Sequence, residues 1–209
     1  MYFESRPSNW SRQAVRLAAP IAALSLLLAG CSAADVAGGD SAASESTVSG
    51  SLAFDEFGLQ GLSGEQVVDK LEKLKTAERP GGLMASVRPT ELVLSTKSGE
   101  QKALELPKEK FYLSVAPYQT QSHDCTFHSL TTCQGELSNQ DVTVDFTTDD
   151  GREILNNAKF RTNDNGFVGL WLPRDVSGTL TISSAGQSAT AQISTGSSDP
   201  TCLTTMKLT

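Results

Sequence analysis

The amino-acid sequence predicts an α+β, mainly β protein: a small N-terminal helix-plus-sheet domain followed by a C-terminal immunoglobulin-like β-sandwich. One amphipathic helix pattern begins near residue 64, and short strand patterns separated by turn residues follow it, at close and regular spacing after residue 141. The 209 residues are 38% hydrophobic and 20% charged, which excludes collagen-like, coiled-coil and multi-span membrane proteins. The net charge of -7 indicates that nucleic acid is not a partner.

The first thirty residues are typical of an export signal. Three arginines precede an apolar run over residues 17–29, which is shorter than the ~20 residues of a comfortable membrane span. The run ends in Leu28-Ala29-Gly30-Cys31, which resembles the bacterial lipobox, whose cysteine takes a diacylglycerol and becomes the new N-terminus. We therefore predict a lipoprotein signal peptide over residues 1–30 and lipidation of Cys31. The mature protein would be exported and attached to the membrane by this lipid alone, on the extracytoplasmic side, in the periplasm or at the cell surface.

Residues 31–50 are predicted to be a flexible, lipid-anchored tether. They are rich in serine, alanine and glycine and contain no aromatic residue. Such a stretch buries too little apolar surface to offset the entropy that it would lose on ordering. The N-terminal α+β domain is then expected over residues 51–118, and the C-terminal sandwich over residues 119–209.

The N-terminal domain begins with the helix pattern. Ser63 and Gln66 have the spacing of a capping box, and apolar residues follow at helical intervals, which predicts a helix over residues 64–76. Three strand patterns come next and end at Pro117. We expect them to form one small sheet under the helix, and they lie at residues 91–95, 102–106 and 110–116.

The C-terminal domain has the short strands and frequent turns of a β-sandwich. Residues 142–146 alternate between apolar and polar, and turn sequences rich in Asp, Asn and Gly follow at 149–151 and 163–166. Phe167 and Trp171 lie on one face of their strand, which indicates that they belong to the core. The predicted strands are 142–146, 159–162, 167–172, 179–183, 188–194 and 202–208.

Histidine and cysteine residues cluster between the two domains. The chain has two histidines and four cysteines, and residues 123–133 contain His123, Cys125, His128 and Cys133. Cys202 lies sixty-nine residues further on, at the start of the last predicted strand. Thiolates and imidazoles are soft or borderline donors, so their convergence predicts a metal site. A low-coordinate site of this kind suits Cu(I), whereas Zn(II) would take four ligands, and the donor set alone does not decide between the two metals.

A structural disulfide is the alternative explanation of the cysteines. Exported proteins meet an oxidising compartment, and a bond between Cys125 and Cys133 would close a loop of about eight residues. The three cysteines that follow Cys31 are an odd number, so one thiol stays over whichever pair forms. A disulfide-containing thiol redox domain or a zinc-binding domain therefore remains the rival of a copper site, although the sequence has no Cys-x-x-Cys motif.

Five segments carry a resemblance to a known family: residues 84–91, 115–118, 123–137, 166–174 and 199–205. They are similar to the CueP family of cell-envelope copper-binding proteins, from about residue 60 to the C-terminus. The three-cysteine pattern of the family falls on Cys125, Cys133 and Cys202. The resemblance implies a homodimer that pairs through its N-terminal domain. It also implies sequestration of copper, reduction of Cu(II), and supply of copper to an exported cuproenzyme such as a copper-zinc superoxide dismutase. The lipobox and tether depart from the periplasmic members and favour local defence of the membrane face.

The sequence therefore predicts a copper-binding envelope lipoprotein that acts in copper resistance. Cys125, Cys133 and Cys202 are the expected thiolate ligands and redox thiols, and His128 is the expected imidazole ligand. His123, near a turn, is the second imidazole candidate. The expected mechanism is capture of Cu(II), electron transfer from a thiol pair, and retention or transfer of Cu(I). This would be a thiol-dependent cupric reductase activity rather than that of a conventional enzyme.

Overall fold

The fold is mainly β: residues 54–209, the part of the chain that the computed structural model describes, contain ten strands in three sheets and helix α1 (Gly64–Glu72). The predicted signal peptide, Cys31 and the tether lie outside these residues. Within residues 54–209, no helix has the length and apolar character needed to cross a membrane. The strands are β1 (Leu83–Val87), β2 (Glu91–Thr96), β3 (Gln101–Glu105), β4 (Lys110–Tyr118), β5 (Asp141–Thr148), β6 (Glu153–Arg161), β7 (Val168–Pro173), β8 (Ser177–Ser184), β9 (Gln187–Ser194) and β10 (Cys202–Lys207).

Helix α1 begins with the predicted capping box. The Ser63 hydroxyl accepts a hydrogen bond from the Gln66 N–H at 3.2 Å, and the Gln66 side chain accepts one from the Ser63 N–H at 2.9 Å. The helix ends at Glu72, four residues before the predicted end. The Leu74 N–H bonds to the Leu71 carbonyl, three residues back, so the last turn tightens, and residues 76–78 form a separate 3-10 turn. The breaker sequence at Arg79-Pro80 thus follows the 3-10 turn instead of the helix.

The small sheet next to α1 has the antiparallel order β1-β2-β3. These strands differ from the predicted ones. β1 was not predicted, and β4, which was predicted as the third strand of this sheet, belongs to another sheet. β4 pairs instead with β10 and β7, at the centre of a second sheet. Seven consecutive residues of β4 are buried, as expected for a strand covered on both faces. The division into domains at residues 118 and 119 stays a prediction.

A second core lies between the β10-β4-β7 sheet and the four-stranded sheet β6-β5-β8-β9. Both sheets contribute fully buried side chains to it, including Phe111 from β4 and Phe146 from β5. Five of the six predicted C-terminal strands are close to observed strands, whereas β6 begins six residues before the prediction. Asn156 and Asn157 lie at a bulge opposite β5, and Asn157 has a φ of 50°, so this part of β6 lacks the alternating pattern. The immunoglobulin-like topology stays a prediction.

Candidate metal centre

The segment between β4 and β5 carries most of the predicted site and is fixed at both sides by backbone hydrogen bonds. The Val87 N–H donates to the His128 carbonyl at 2.8 Å, and the Leu130 N–H donates to the Ala85 carbonyl at 2.9 Å. These bonds attach the segment to the edge of β1. The Thr201 N–H, just before β10, donates to the carbonyl of Thr126 at 3.0 Å. The segment is thereby brought to the start of β10, where Cys202 lies.

The three predicted sulfur atoms come together at this point. Cys125 and Cys202 form a disulfide with their Cα atoms 5.6 Å apart, and Cys133 is a free cysteine. The Cys133 Sγ lies 3.7 Å from the Cys125 Sγ. The structure therefore pairs Cys125 with Cys202, 77 positions away, and not with Cys133 as in the short loop considered from the sequence. The spacing of the cysteines in the sequence could not predict this pairing. It depends on the backbone hydrogen bond between Thr201 and Thr126, which brings Cys202 next to Cys125.

Within residues 54–209, the potential metal-binding atoms form two groups that share Cys133. The first group contains His123, Cys125 and Cys133, and the second contains His128, Cys133 and Cys202. Within each group all donor atoms lie within 4.8 Å of one another. His123 is exposed and lines a surface cavity of about 260 Å³ together with Ser122 and Glu136. His128 is fully buried.

Glu72 is a residue of the site that the sequence analysis missed. It is the last residue of α1, its exposure is 4%, and its Oε2 lies 2.9 Å from the His128 Nε2. Its Oε1 accepts a hydrogen bond from the side-chain amide of Asn165 at 3.0 Å. Glu72 follows Val68 by four positions, so it falls on the apolar face of the helix. An acidic residue at that position was the available signal, since acids are rarely buried without a partner.

The buried charges change the pKa values of the site. Burial lowers the pKa of His128, but the negative charge of Glu72 and hydrogen bonds to Cys133 and Glu72 outweigh it and raise this pKa to about 9. Burial raises the pKa of Cys133, but the hydrogen bond and charge of His128 outweigh it, so this pKa is lowered. Burial likewise raises the pKa of Glu72, and the charge of His128 lowers it overall. Cys133 is therefore more readily ionised to the thiolate, the form that binds metals and donates electrons.

An aromatic ring covers the inner side of the site. Phe167 is fully buried, its ring centroid is 4.6 Å from that of His128, and it forms one apolar cluster with Ala116 and Cys202. Its predicted place in the core is therefore confirmed. Trp171 is only partly buried and donates a hydrogen bond from its indole N–H to Asp69 of α1 at 3.0 Å. The apolar surroundings keep water from the buried side of the sulfur cluster and strengthen the charge interactions there.

Comparison with known proteins identifies the family of this chain. The family model described as periplasmic copper-binding protein CueP matches residues 66–207, which include all the residues of the two donor groups and Glu72. A solved structure titled "Crystal Structure of S.CueP" is 38% identical in sequence, with a TM-score of 0.71, and the match covers 81% of this chain and 100% of that chain. No curated protein matches the chain.

Proposed function

Because the chain belongs to the CueP family of periplasmic copper-binding proteins, whose partner is the copper ion, we propose that copper binds at the cysteine and histidine cluster. Cys125, Cys133 and Cys202 would supply thiolates, and His128 an imidazole. The observation that carries this proposal is the convergence of all four residues, from two distant parts of the sequence, on one partly buried corner of the fold, where His128 and Cys202 are buried and Cys125 and Cys133 are half-buried. Each donor group offers three ligands, which suits Cu(I) better than the four-ligand tetrahedron of Zn(II).

We also propose that two of the thiols reduce Cu(II). In this step two Cu(II) ions take one electron each, and two thiols lose two electrons and two protons as they form a disulfide. The Cys125–Cys202 bond supports these two residues as the electron donors. Cys133 would then remain as a thiolate beside His128, and these two residues would retain Cu(I) after the electrons have been transferred.

His123 is proposed as the ligand that first meets copper from solution. It is the exposed member of the donor group that contains Cys125 and Cys133, and it lines a cavity open to the surface. Imidazole binds Cu(II) well, and thiolates bind Cu(I) well. An ion captured by His123 would therefore already lie next to Cys125, one of the two thiols proposed to reduce it.

The remaining proposals concern the context of the protein in the cell. The lipobox-like string supports a lipid anchor on Cys31, and the family resemblance supports a homodimer formed through the N-terminal domain. The resemblance also supports transfer of Cu(I) to an exported cuproenzyme such as a copper-zinc superoxide dismutase. A membrane anchor would restrict such transfer to partners that reach the membrane face.

A metal titration tests the copper proposal. The full-length chain, reduced and kept anaerobic, is titrated with Cu(I) against a competing chelator, and the titration is repeated with Zn(II) and with Cys202→Ser. We expect tight Cu(I) binding that is strongly weakened in the variant. Weak Cu(I) binding beside tight Zn(II) binding would overturn the proposal in favour of a zinc domain. Binding of neither metal would leave a thiol redox or disulfide-stabilised domain.

Mixing the reduced chain with Cu(II) tests the reductase proposal. We expect one disulfide for every two Cu(I) ions formed, and peptide mapping should locate it at Cys125 and Cys202. Formation of Cu(I) at an equal rate and yield in Cys202→Ser would contradict the assignment of these two thiols as donors.

A further inference from the structure

We propose that Glu72 is a positioning residue for copper, which holds His128 so that Nδ1 is the nitrogen that faces the metal. This inference rests on the proposed copper function. It extends the site beyond the cysteines and histidines to a residue of helix α1, which lies more than fifty positions earlier in the chain.

The burial of Glu72 is the first step of the argument. A carboxylate with 4% exposure is costly unless both of its oxygens accept hydrogen bonds. Both do so here, one from Asn165 and one from His128. The side chain therefore has a defined set of partners, and its position is specified by the fold.

The direction of each hydrogen bond follows from Asn165. The side-chain oxygen of Asn165 accepts from the Phe167 N–H at 3.1 Å, and a backbone N–H can only donate. The Asn165 Nδ2 must therefore be the atom that points at the Glu72 Oε1, 3.0 Å away. Because the ionised carboxylate only accepts, the His128 Nε2 at 2.9 Å from Oε2 carries the hydrogen.

The opposite side of the ring faces the sulfur atoms. The His128 Nδ1 lies 3.9 Å from the Cys202 Sγ. The backbone of His128 is held as well, since its N–H donates to the Thr201 hydroxyl at 3.1 Å and its carbonyl accepts from Val87. With Nε2 bonded to Glu72, Nδ1 is the nitrogen that remains for copper, which would displace the proton that the charged ring carries there. A carboxylate behind a metal-binding histidine orients the ring and makes it a better ligand.

The test compares two variants of the same helix. Glu72→Gln keeps the shape, but its NH₂ group either opposes the NH₂ group of Asn165 or pairs with a His128 tautomer that carries its hydrogen on Nδ1. We therefore expect Cu(I) affinity to fall by about 10- to 100-fold. Asp69→Asn is the matched control, because it removes the same charge from α1 and contacts Trp171 instead of His128. It should bind Cu(I) as the unmodified chain does. Equal affinity for Glu72→Gln and the unmodified chain would overturn the proposal.

A double-mutant cycle separates positioning from general loss of structure. If Glu72 acts through His128, then adding Glu72→Gln to His128→Ala should cause no further loss of affinity. An equal loss in both backgrounds would mean that Glu72 only supports the fold, and the proposal would be wrong. Failure of the unmodified chain to bind Cu(I) would instead refute the proposed function.

Nitrogen NMR of the unmodified chain provides a test that does not depend on a variant folding. With ¹⁵N-labelled histidine and Cu(I) bound, we expect the proton of His128 on Nε2 and the metal-dependent shift on Nδ1. A metal-dependent shift on Nε2 would contradict the positioning role.

Discussion

The two histidines of the chain are five positions apart, yet they occupy opposite kinds of environment. His128 is fully buried, with its ring between a carboxylate and a sulfur atom and its backbone bonded to β1 and to Thr201. His123 is exposed beside a surface cavity, although it lies within reach of the Cys125 and Cys133 sulfur atoms, the second of which it shares with His128. The difference shows that proximity to cysteines does not by itself define the environment of an imidazole. The hydrogen bonds of its ring and backbone define it as well. His128 is held as part of the fold, whereas His123 stays accessible from the surface.

The largest expected effect is on stability and concerns the buried histidine. Glu72→Ala leaves a buried His128 without its charge partner, so we expect the free energy of unfolding to fall by about 3–5 kcal/mol. Chemical denaturation of the reduced chain measures this. Asp69→Ala is the control from the same helix, and its exposed hydrogen bond to Trp171 should contribute only about 1 kcal/mol. Equal losses of unfolding free energy in the two variants would show that the buried Glu72–His128 pair stabilises the fold no more than an exposed hydrogen bond.

The pH dependence of stability sharpens the same contrast. The pKa of His128 is raised from 6.5 to about 9, so its contribution is complete below pH 6.5 and is lost as the pH rises through 9. We expect unfolding free energy to decrease over this range by up to about 3 kcal/mol, with part of the decrease offset by Cys133, whose pKa is lowered. The lowered pKa of Glu72 acts on the acid side, where stability is lost as the pH falls below 4.5.

Denaturation of Glu72→Gln over the same pH range provides the control for this prediction. The variant lacks the negative charge that raises the pKa of His128, so its stability should change less between pH 6.5 and 9. An equally steep change in the variant would show that another group is responsible.

Cys133→Ser tests whether the two donor groups share one ligand. Because Cys133 belongs to both donor groups, its loss should weaken Cu(I) binding by about 100-fold or more, beyond the effect of removing an outer partner such as Glu72. Competition with a Cu(I) chelator measures it. A smaller loss in Cys133→Ser than in Cys202→Ser would indicate that the buried group does not depend on the shared sulfur.

The smallest expected effect is that of His123→Ala. If the exposed imidazole serves capture and not retention, as proposed, Cu(I) affinity should change by less than about threefold, whereas the rate of Cu(II) reduction should fall. Stopped-flow mixing with Cu(II) measures the rate. If the variant loses Cu(I) affinity to the same extent as His128→Ala, the proposed contrast between the two histidines is wrong.

The sequence predicted the members of the cluster better than their arrangement. Donor chemistry is visible in single residues, so His123, Cys125, His128, Cys133 and Cys202 could be identified without a fold. Glu72 could not be assigned a role, because its partner is fifty-six positions away and is brought near by the packing of α1. The pairing of Cys125 with Cys202 depends on the backbone bonds around Thr126 and Thr201, which leave no local pattern.

The same distinction holds for the elements of the fold. The helix start was predicted because a capping box is a local signal, and most of the C-terminal strands were predicted from alternation and turns. β1 follows a glycine pair and was not predicted. It is a strand because it pairs with β2 on one side and contacts the segment around His128 on the other. β4 was placed in the wrong sheet because pairing partners are set by long-range contacts.

The sharing of Cys133 has a consequence for stoichiometry. If copper binds here as proposed, an ion that takes this sulfur leaves the other group with only two donors, so we expect a single ion per chain. Because both groups contain the Cys133 sulfur, an ion could pass from one group to the other without leaving this ligand. Exchange along such a path would avoid the release of a free, solvated Cu(I) ion.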